Sequence, residues 1–590
     1  MNRFRHLASS IAAAIATAMV AGCSTPVSGP DLPPTVQIKL IGFNDFHGHL
    51  EPPRTAVTAP GTGTSTVAVP AGGVAYLASA IDALRARNPH HAVLSAGDMI
   101  GATPLVSALF LDEPTIETFN LIGLDFNAVG NHEFDKGRDE LLRMARGGCQ
   151  KYTLREPCRV NKAFPGANFG YLAANTLRED GSTLFASTGI KDFQVGAARI
   201  RLGIIGLTLK GTPAMVTPSG VAGLRFLDEA ATANALVPQL KAQGADVIVV
   251  LIHEGGNTTG GYNDKSCPGL SGDILPILER LDPVVDLVIS GHTHRSYICD
   301  YGKTNPSRPF LLTSAGLYGT LLTDIDVTVD TRSRKVVAKS ASNVIVQGEP
   351  YTSGSGSVVP LSALYPVFPK HPEVGSLVAR YAMEASGLAS RPVGRVSGTI
   401  SRQRTQSLES AMGSVIADAH LAATRAPDKG GAQIAFVNTG AVRADLVPGP
   451  GGEVTYGQLF TVQPFGNNLV VKTFTGAQVR ALLEQQFGSS GVIPSSLQHS
   501  AGFSYAFDLR APAGQRVSDM RLHGTALMDS ARYRVAMNSF LADGGDRYSV
   551  FRQGTEVLGG DQDIDAFEAY IRVHSPVSAP ALGRITRLSP

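Results

Sequence analysis

Short apolar runs alternate with segments of helical period along the first half of the chain, and each run stops at a small polar cluster. Gln37 to Phe43 ends in Asn44-Asp45-Phe46-His47-Gly48-His49, Ala92 to Ser95 in Gly97-Asp98, and Phe126 to Val129 in Gly130-Asn131-His132-Glu133-Phe134-Asp135. Asp246 to Ile252 ends at His253-Glu254, and Asp286 to Ser290 at Gly291-His292-Thr293-His294. Such runs read as buried strands. Between them Val74 to Arg87 carries Val74, Leu77, Ala78, Ile81 and Leu84 on one stripe of a helix, and Asp228 to Gln243 is also helical. Alternating strands and helices predict an α/β fold with helix-covered sheets. In such sheets ligands bind beyond the carboxyl ends of the strands, so the polar clusters converge at one edge. Residues 52–72 are Pro, Thr, Gly and Ala, and read as a flexible surface loop.

The second half has a different texture. A Ser/Gly-rich stretch from Tyr351 closes the first domain, and a helix near Pro372 to Leu388 bridges to the next. From about Val393 strands and helices continue but the His/Asp clusters stop. A helix is expected over Gly413 to Thr424 and an amphipathic one over Gly476 to Phe487. Strands are expected over Ala432 to Val437, Leu469 to Phe474 and Arg532 to Asn538, the last entering Ser539-Phe540-Leu541-Ala542-Asp543-Gly544-Gly545-Asp546.

At 590 residues the chain is too long for one core. Apolar content of 43% with 17% charged residues indicates a globular protein, and a net charge of +2 argues against a nucleic-acid binder held by a basic face. The N-terminus reads as an export signal: Arg3 and Arg5, an apolar stretch from Leu7 to Val20, then Ala21-Gly22-Cys23. Small residues before a Cys resemble a bacterial lipoprotein signal, with 1–22 removed and the Cys23 thiol lipidated. The expected location is the cell envelope, periplasmic or outer-surface, the protein being anchored to a membrane but not spanning it. The remaining Cys149, Cys158, Cys267 and Cys299 suggest two disulfides in an exported protein. Three connectivities exist, and proximity favours Cys149–Cys158 with Cys267–Cys299.

Five of the 14 His, namely His47, His132, His253, His292 and His294, fall in the strand-end clusters as candidate ligands or catalytic groups, together with Asp45, Asp98 and Asn131. Imidazole, carboxylate and amide ligands suit a pair of divalent cations, with zinc or manganese favoured over magnesium, cobalt or calcium. Such a pair lowers the pKa of water and clamps both oxygens of an in-line displacement at phosphorus. His132 is left to face the substrate, and Asp135, three residues on, can hold its ring.

On these stretches, and on Asn438 to Arg443, Gln463-Pro464-Phe465-Gly466-Asn467 and Gly544-Gly545-Asp546, the chain resembles the 5′-nucleotidases of bacteria and animals. The resemblance implies a four-layer αββα calcineurin-like metallophosphatase sandwich over 36–350, preceded by a signal (1–22) and tether (23–35). A linker and bridging helix (351–392) and an α+β nucleotide-binding domain (393–590) would follow. It implies that Asp45, His47, Asp98 and His294 hold one metal and that Asp98, Asn131, His253 and His292 hold the other. His132 and Asp135 would be the catalytic pair. Phe465 and Phe540 would sandwich the base, Asn467 contact its edge, Asp546 the ribose hydroxyls, and Arg443 the phosphate. Asn438 belongs to the same substrate loop, and Arg402 and Arg404 are both candidates for a second phosphate contact. The implied activity is attack of a metal-bound hydroxide on a nucleoside 5′-phosphate. The alternatives are cleavage of UDP-sugars or NAD, cleavage of 2′,3′-cyclic nucleotides, or nucleotide binding without turnover. The Phe pair favours the first two substrate classes over cyclic nucleotides, where Tyr is more usual.

Overall fold

The computed structural model describes residues 33–153, 155–216, 218–353, 357–488 and 495–588. Cys23 and the signal segment lie outside the described residues. Two six-stranded sheets form the first half. In spatial order the first is Lys335–Ile345, Leu321–Asp330, Thr35–Phe43, His91–Ser95, Phe126–Ala128 and Gly170–Leu172. The second is Ser296–Asp300, Leu311–Ala315, Leu287–Ser290, Val247–Ile252, Ala198–Leu207 and Thr188–Val195. The central strands of each run parallel; antiparallel strands close both flanks of the second sheet and one flank of the first, whose other edge, Gly170–Leu172, is parallel.

The period of two along a strand decides the layering. Ile38 and Leu40 face inward and meet Val247, Val249 and Leu251 of the opposite sheet. Their neighbours Ile41 and Phe43 face outward beneath the helices Val74–Arg85 and Glu113–Ile122. Ile248, Val250 and Ile252 likewise face the helix Glu229–Ala242. The result is helix, sheet, sheet, helix. Asp228 caps the last of these helices by accepting from the Ala231 N–H.

One sequence expectation fails. Residues 52–72 are not a flexible loop: Thr55–Pro60 and Thr66–Ala71 pair as an antiparallel hairpin, with Thr55 opposite Ala71 and Pro60 opposite Thr66. Val57, Ala59, Val67, Val69 and Ala71 share one face and pack on the first domain's core. The Pro and Gly residues hid an alternation that needs only one apolar face to become a strand.

The second half centres on a five-stranded sheet in the order Leu497–His499, Ile434–Asn438, Arg532–Asn538, Asn468–Thr475 and Thr555–Gln562. The helices Ala411–Thr424 and Asp563–Val573 contribute to one core cluster, and Gly476–Glu484 to another. Two features join the halves. The helix Pro372–Ala389 buries Val374, Leu377, Tyr381 and Ala385 in the first domain's core. The short helix Leu105–Ala108 reaches the other way, its Leu105 and Ala108 sitting in the second domain's core beside Tyr456 and Phe460. Cys149 is bonded to Cys158 and Cys267 to Cys299. Among the described residues no helix is long and apolar enough to cross a membrane.

Candidate active site

The parallel strands Thr35–Phe43, His91–Ser95, Phe126–Ala128, Val247–Ile252 and Leu287–Ser290 deliver their polar clusters to one place. The chain must turn sharply there, and it does so with left-handed backbone at non-glycine residues: φ is +49° at Asp45, +46° at His47, +51° at Asp98, +69° at His292 and +59° at His294. L residues rarely adopt that region, and its cost is tolerated where a side chain must be aimed. Gly130 is needed for space, since a Cβ there would fall 2.2 Å from Asp98 Oδ1.

Asp45, His47 and His294 bring ligand atoms within 4.8 Å of one another, and so do Asp98, His253 and His292. His47 Nε2 is 3.1 Å from His294 Nε2, and His294 Nε2 is 3.4 Å from Asp45 Oδ1. Asp98 Oδ2 lies 2.9 Å from His253 Nε2 and 3.7 Å from His47 Nε2, so one carboxylate reaches both sets. Asn131 Oδ1 is 3.1 Å from His292 Nδ1.

The donor set fits divalent cations. Asp98 Oδ2 and His253 Nε2 are buried and 2.9 Å apart, yet neither has a hydrogen-bond partner, a pair of atoms that a shared cation would satisfy. Nδ1 of His47 is 2.8 Å from the Gly101 carbonyl and Nδ1 of His253 is 2.8 Å from that of Ala96. A backbone carbonyl holds the proton on Nδ1 and leaves Nε2 free to ligate. Burial lowers the pKa of His292 to about 4, helped by His253, and drives that of His47 well below its usual value, so both stay neutral. Burial opposes the charge on Asp98, but His253 and His132 overcome it and hold the carboxylate ionised; Asp98 in turn raises His253 to about 10 against its burial. Cations bound to the two sets would supply the positive charge these carboxylates demand.

His132 stands beside this cluster. Its Nδ1 is 2.9 Å from Asp135 Oδ2 and its backbone N–H donates to Asp98 Oδ1. Burial works against its charge, but Asp135 and Asp98 raise its pKa above the usual value. A His held protonated, with Nε2 free, can donate to a phosphoryl or leaving-group oxygen.

Sequence reasoning missed the residues that hold these in place. Glu133 accepts from the backbone N–H groups of Asp98, Met99 and Gly130 and so ties two ligand loops together. Burial, then the nearby Asp98, raises its carboxyl to about 7. Asn44 donates to Asp45 Oδ2 at 2.6 Å and accepts from the Ala315 N–H. Lys136 lies 2.6 Å from buried Asp112 and lines the cavity. Glu133 and Asn44 sit inside the ligand motifs, the signal that could have found them.

A cavity of about 950 Å³ opens over the cluster between the domains. Asn131, His132, Asp135 and His292 line it from the first domain; Asn438, Arg443, Phe465, Asn467, Phe540 and Asp546 line it from the second. The Phe465 ring lies 6.0 Å from that of His132, nearly parallel, with the Arg443 guanidinium 5.9 Å from the Phe465 centroid. Asp546 accepts from Asn438 at 2.7 Å and from Ser495 at 2.9 Å. Arg402 and Arg404 are not among the lining residues. The Arg402 backbone N–H donates to Asp445, and its side chain to the Val442 carbonyl.

Residues 38–296 match the family described as calcineurin-like phosphoesterase, and residues 392–553 that of the 5′-nucleotidase C-terminal domain. An uncharacterised protein from the pqq-V 5′ region of Acinetobacter calcoaceticus is 49% identical over 187 residues, 30% of this chain and 92% of that protein. Endonuclease YhcR of Bacillus subtilis is 27% identical over 93% of this chain, which spans only 41% of that relative's length. The crystal structure of a 5′-nucleotidase precursor from Thermus thermophilus superposes with a TM-score of 0.71 at 26% identity, covering 94% of this chain and 99% of that one.

Proposed function

Because the chain belongs to the calcineurin-like phosphoesterases that carry a 5′-nucleotidase C-terminal domain, and is thus a metal-dependent phosphoester hydrolase, we propose that it hydrolyses nucleoside 5′-phosphates to nucleoside and phosphate. One observation carries the reading: two candidate ligand sets meet at Asp98, and Asn131 and His292 beside them, with the His132–Asp135 pair, line the same cavity as Arg443, Phe465, Phe540 and Asp546.

Two divalent cations, zinc or manganese by their donors, would be held by Asp45, His47, Asp98 and His294 and by Asp98, Asn131, His253 and His292; when bound they would polarise the phosphoryl group and lower the pKa of water. Arg443 would grip phosphate oxygens with its planar fork. Phe465 and Phe540 would stack the base, a contact that tolerates several bases, and Asp546 would accept from the ribose hydroxyls. His132, oriented by Asp135, would donate through Nε2 to the oxygen that gains charge as the ester bond breaks. A second reading keeps this chemistry with a larger leaving group. The cavity continues past His292 to Lys210, Asn257 and Arg280, which gives room for a dinucleotide or nucleotide sugar.

Export and lipidation at Cys23 belong to the same proposal. Pro33 precedes the strand Thr35–Phe43, whose far end leads into Asp45. Nine strand residues span roughly 30 Å, so an anchored tether would join the domain at the end of this strand opposite the catalytic edge.

The purified protein with manganese or zinc should release phosphate from AMP and lose this activity to a chelator. His132→Ala should cut turnover by about 10²-fold or more while metal content stays unchanged. Release of phosphate from no 5′-nucleotide, with metal bound, would refute the reading, and cleavage of NAD or UDP-glucose alone would favour the second.

A further inference from the structure

Asp563, at the start of the helix Asp563–Val573, is a carboxylic acid that the proposed chemistry does not use. Its side chain is 1% exposed, and Oδ1 has no hydrogen-bond partner. Such a group is costly to bury. Its Oδ2 accepts from Asn467 Nδ2 at 3.4 Å, and its backbone N–H donates to the Asn467 carbonyl at 2.8 Å. Asn467 in turn lines the cavity, and its Oδ1 accepts from the Ser539 hydroxyl at 3.3 Å. Ser539 precedes Phe540, which lines the same cavity. The amide of Asn467 is therefore gripped at both ends, its NH₂ toward Asp563 and its oxygen toward Ser539.

An amide can present itself in two ways that differ by a 180° flip. Above pH 7, where Asp563 is mostly ionised, a carboxylate beside one end removes the ambiguity, because it can only accept. The orientation matters to a base. Adenine offers an amino donor at C6 with an acceptor at N1; hypoxanthine offers an acceptor at C6 with a donor at N1. A half-buried amide of fixed polarity, such as Asn467, suits one edge and leaves groups unpaired against the other, and a mismatch of that kind discriminates between bases.

We infer that Asp563 is a positioning residue that fixes the amide of Asn467 and thereby sets which base edge the cavity prefers. The inference rests on the nucleotide-hydrolase reading above. Burial raises the Asp563 carboxyl to about 7. The Asn467 amide and the backbone oppose that rise, while Asp565 adds to it. The buried acid thus has no cationic partner among those influences.

The test compares kcat/KM for AMP and IMP, with p-nitrophenyl phosphate as a substrate that has no base. In Asp563→Asn and Asp563→Ala the AMP/IMP ratio should move by about tenfold through KM. Activity on p-nitrophenyl phosphate should stay within about twofold. In an Asn467→Ala background the Asp563 substitutions should no longer move the ratio, since the coupling runs through that amide. If Asp563→Ala fails to fold, the isosteric Asp563→Asn carries the test. An unchanged ratio in a folded variant, or an equal loss on all three substrates, would overturn the inference while leaving the nucleotidase reading intact. A wild-type enzyme that cleaves p-nitrophenyl phosphate but neither nucleotide would overturn both, and that result is visible before any variant is made.

Discussion

At Asp45, His47, Asp98, His292 and His294 the backbone occupies the left-handed region, and each is a candidate metal ligand. A relaxed turn would use glycine at such places; here the side chain is needed, so the strain is carried by neighbours such as Glu133 and Asn44. Histidines away from this cluster behave differently. His420 and His499 in the second domain are fully buried, and burial lowers their pKa values to about 3 and about 4. Unfolded, both would take a proton near pH 6.5. The unfolded chain therefore binds more protons below that pH, and stability is lost as the pH falls from 6.5 toward 4. Each residue should contribute about 1.4 kcal/mol per pH unit across that window. Urea unfolding of the second domain between pH 7 and 5 should show this slope, shallower in His499→Phe. An identical slope in the variant would count against the account.

Among the elements, the short helix Leu105–Ala108 has an unusual place. Its sequence belongs to the first domain, while Leu105 and Ala108 sit in the second domain's core. Thr103, two residues before it, lines the cavity. Truncating Leu105, 4% exposed, should cost about 2–5 kcal/mol. The loss should fall on the joint between the domains. Calorimetry of Leu105→Ala should show a lowered transition, and KM for a nucleotide should rise more than that for p-nitrophenyl phosphate. A melting profile like the wild type's would mean that the contact contributes nothing to docking. The hairpin Thr55–Ala71 teaches a related lesson: two marginal strands persist because a preformed core covers their apolar face.

For the whole molecule, the proposed catalytic cluster and the proposed base-binding groups lie on different domains, and the cavity between them is the joint product. The bridging helix Pro372–Ala389 packs into the first domain, whereas Arg391 pairs with Glu568 of the second through two bonds of 2.7 and 2.6 Å. Leu388 and Ala389 at the helix's end already pack on the second domain's core, so a change in domain orientation would be absorbed in the helix's last turn, after Ala385. Product release through such a motion predicts a measurable cost to locking it. A disulfide engineered between the loop at Thr212–Ala214 and the turn at Gly545–Arg547, which face each other across the joint, should slow turnover several-fold and release it on mild reduction. Unchanged turnover in the oxidised form would show that release needs no opening.

The sequence by itself determined the layered α/β half, because strand runs and helical stripes are local patterns that burial enforces. It also supplied the candidate ligands, because His, Asp and Asn at five strand ends have few other uses. Only the tertiary structure decided that Asp98 reaches both ligand sets, that Arg402 and Arg404 stay out of the cavity, and that the hairpin exists. It alone placed Asp563 behind Asn467, 96 residues away along the chain. These depend on which distant surfaces meet, and chain order carries no record of a contact made by packing.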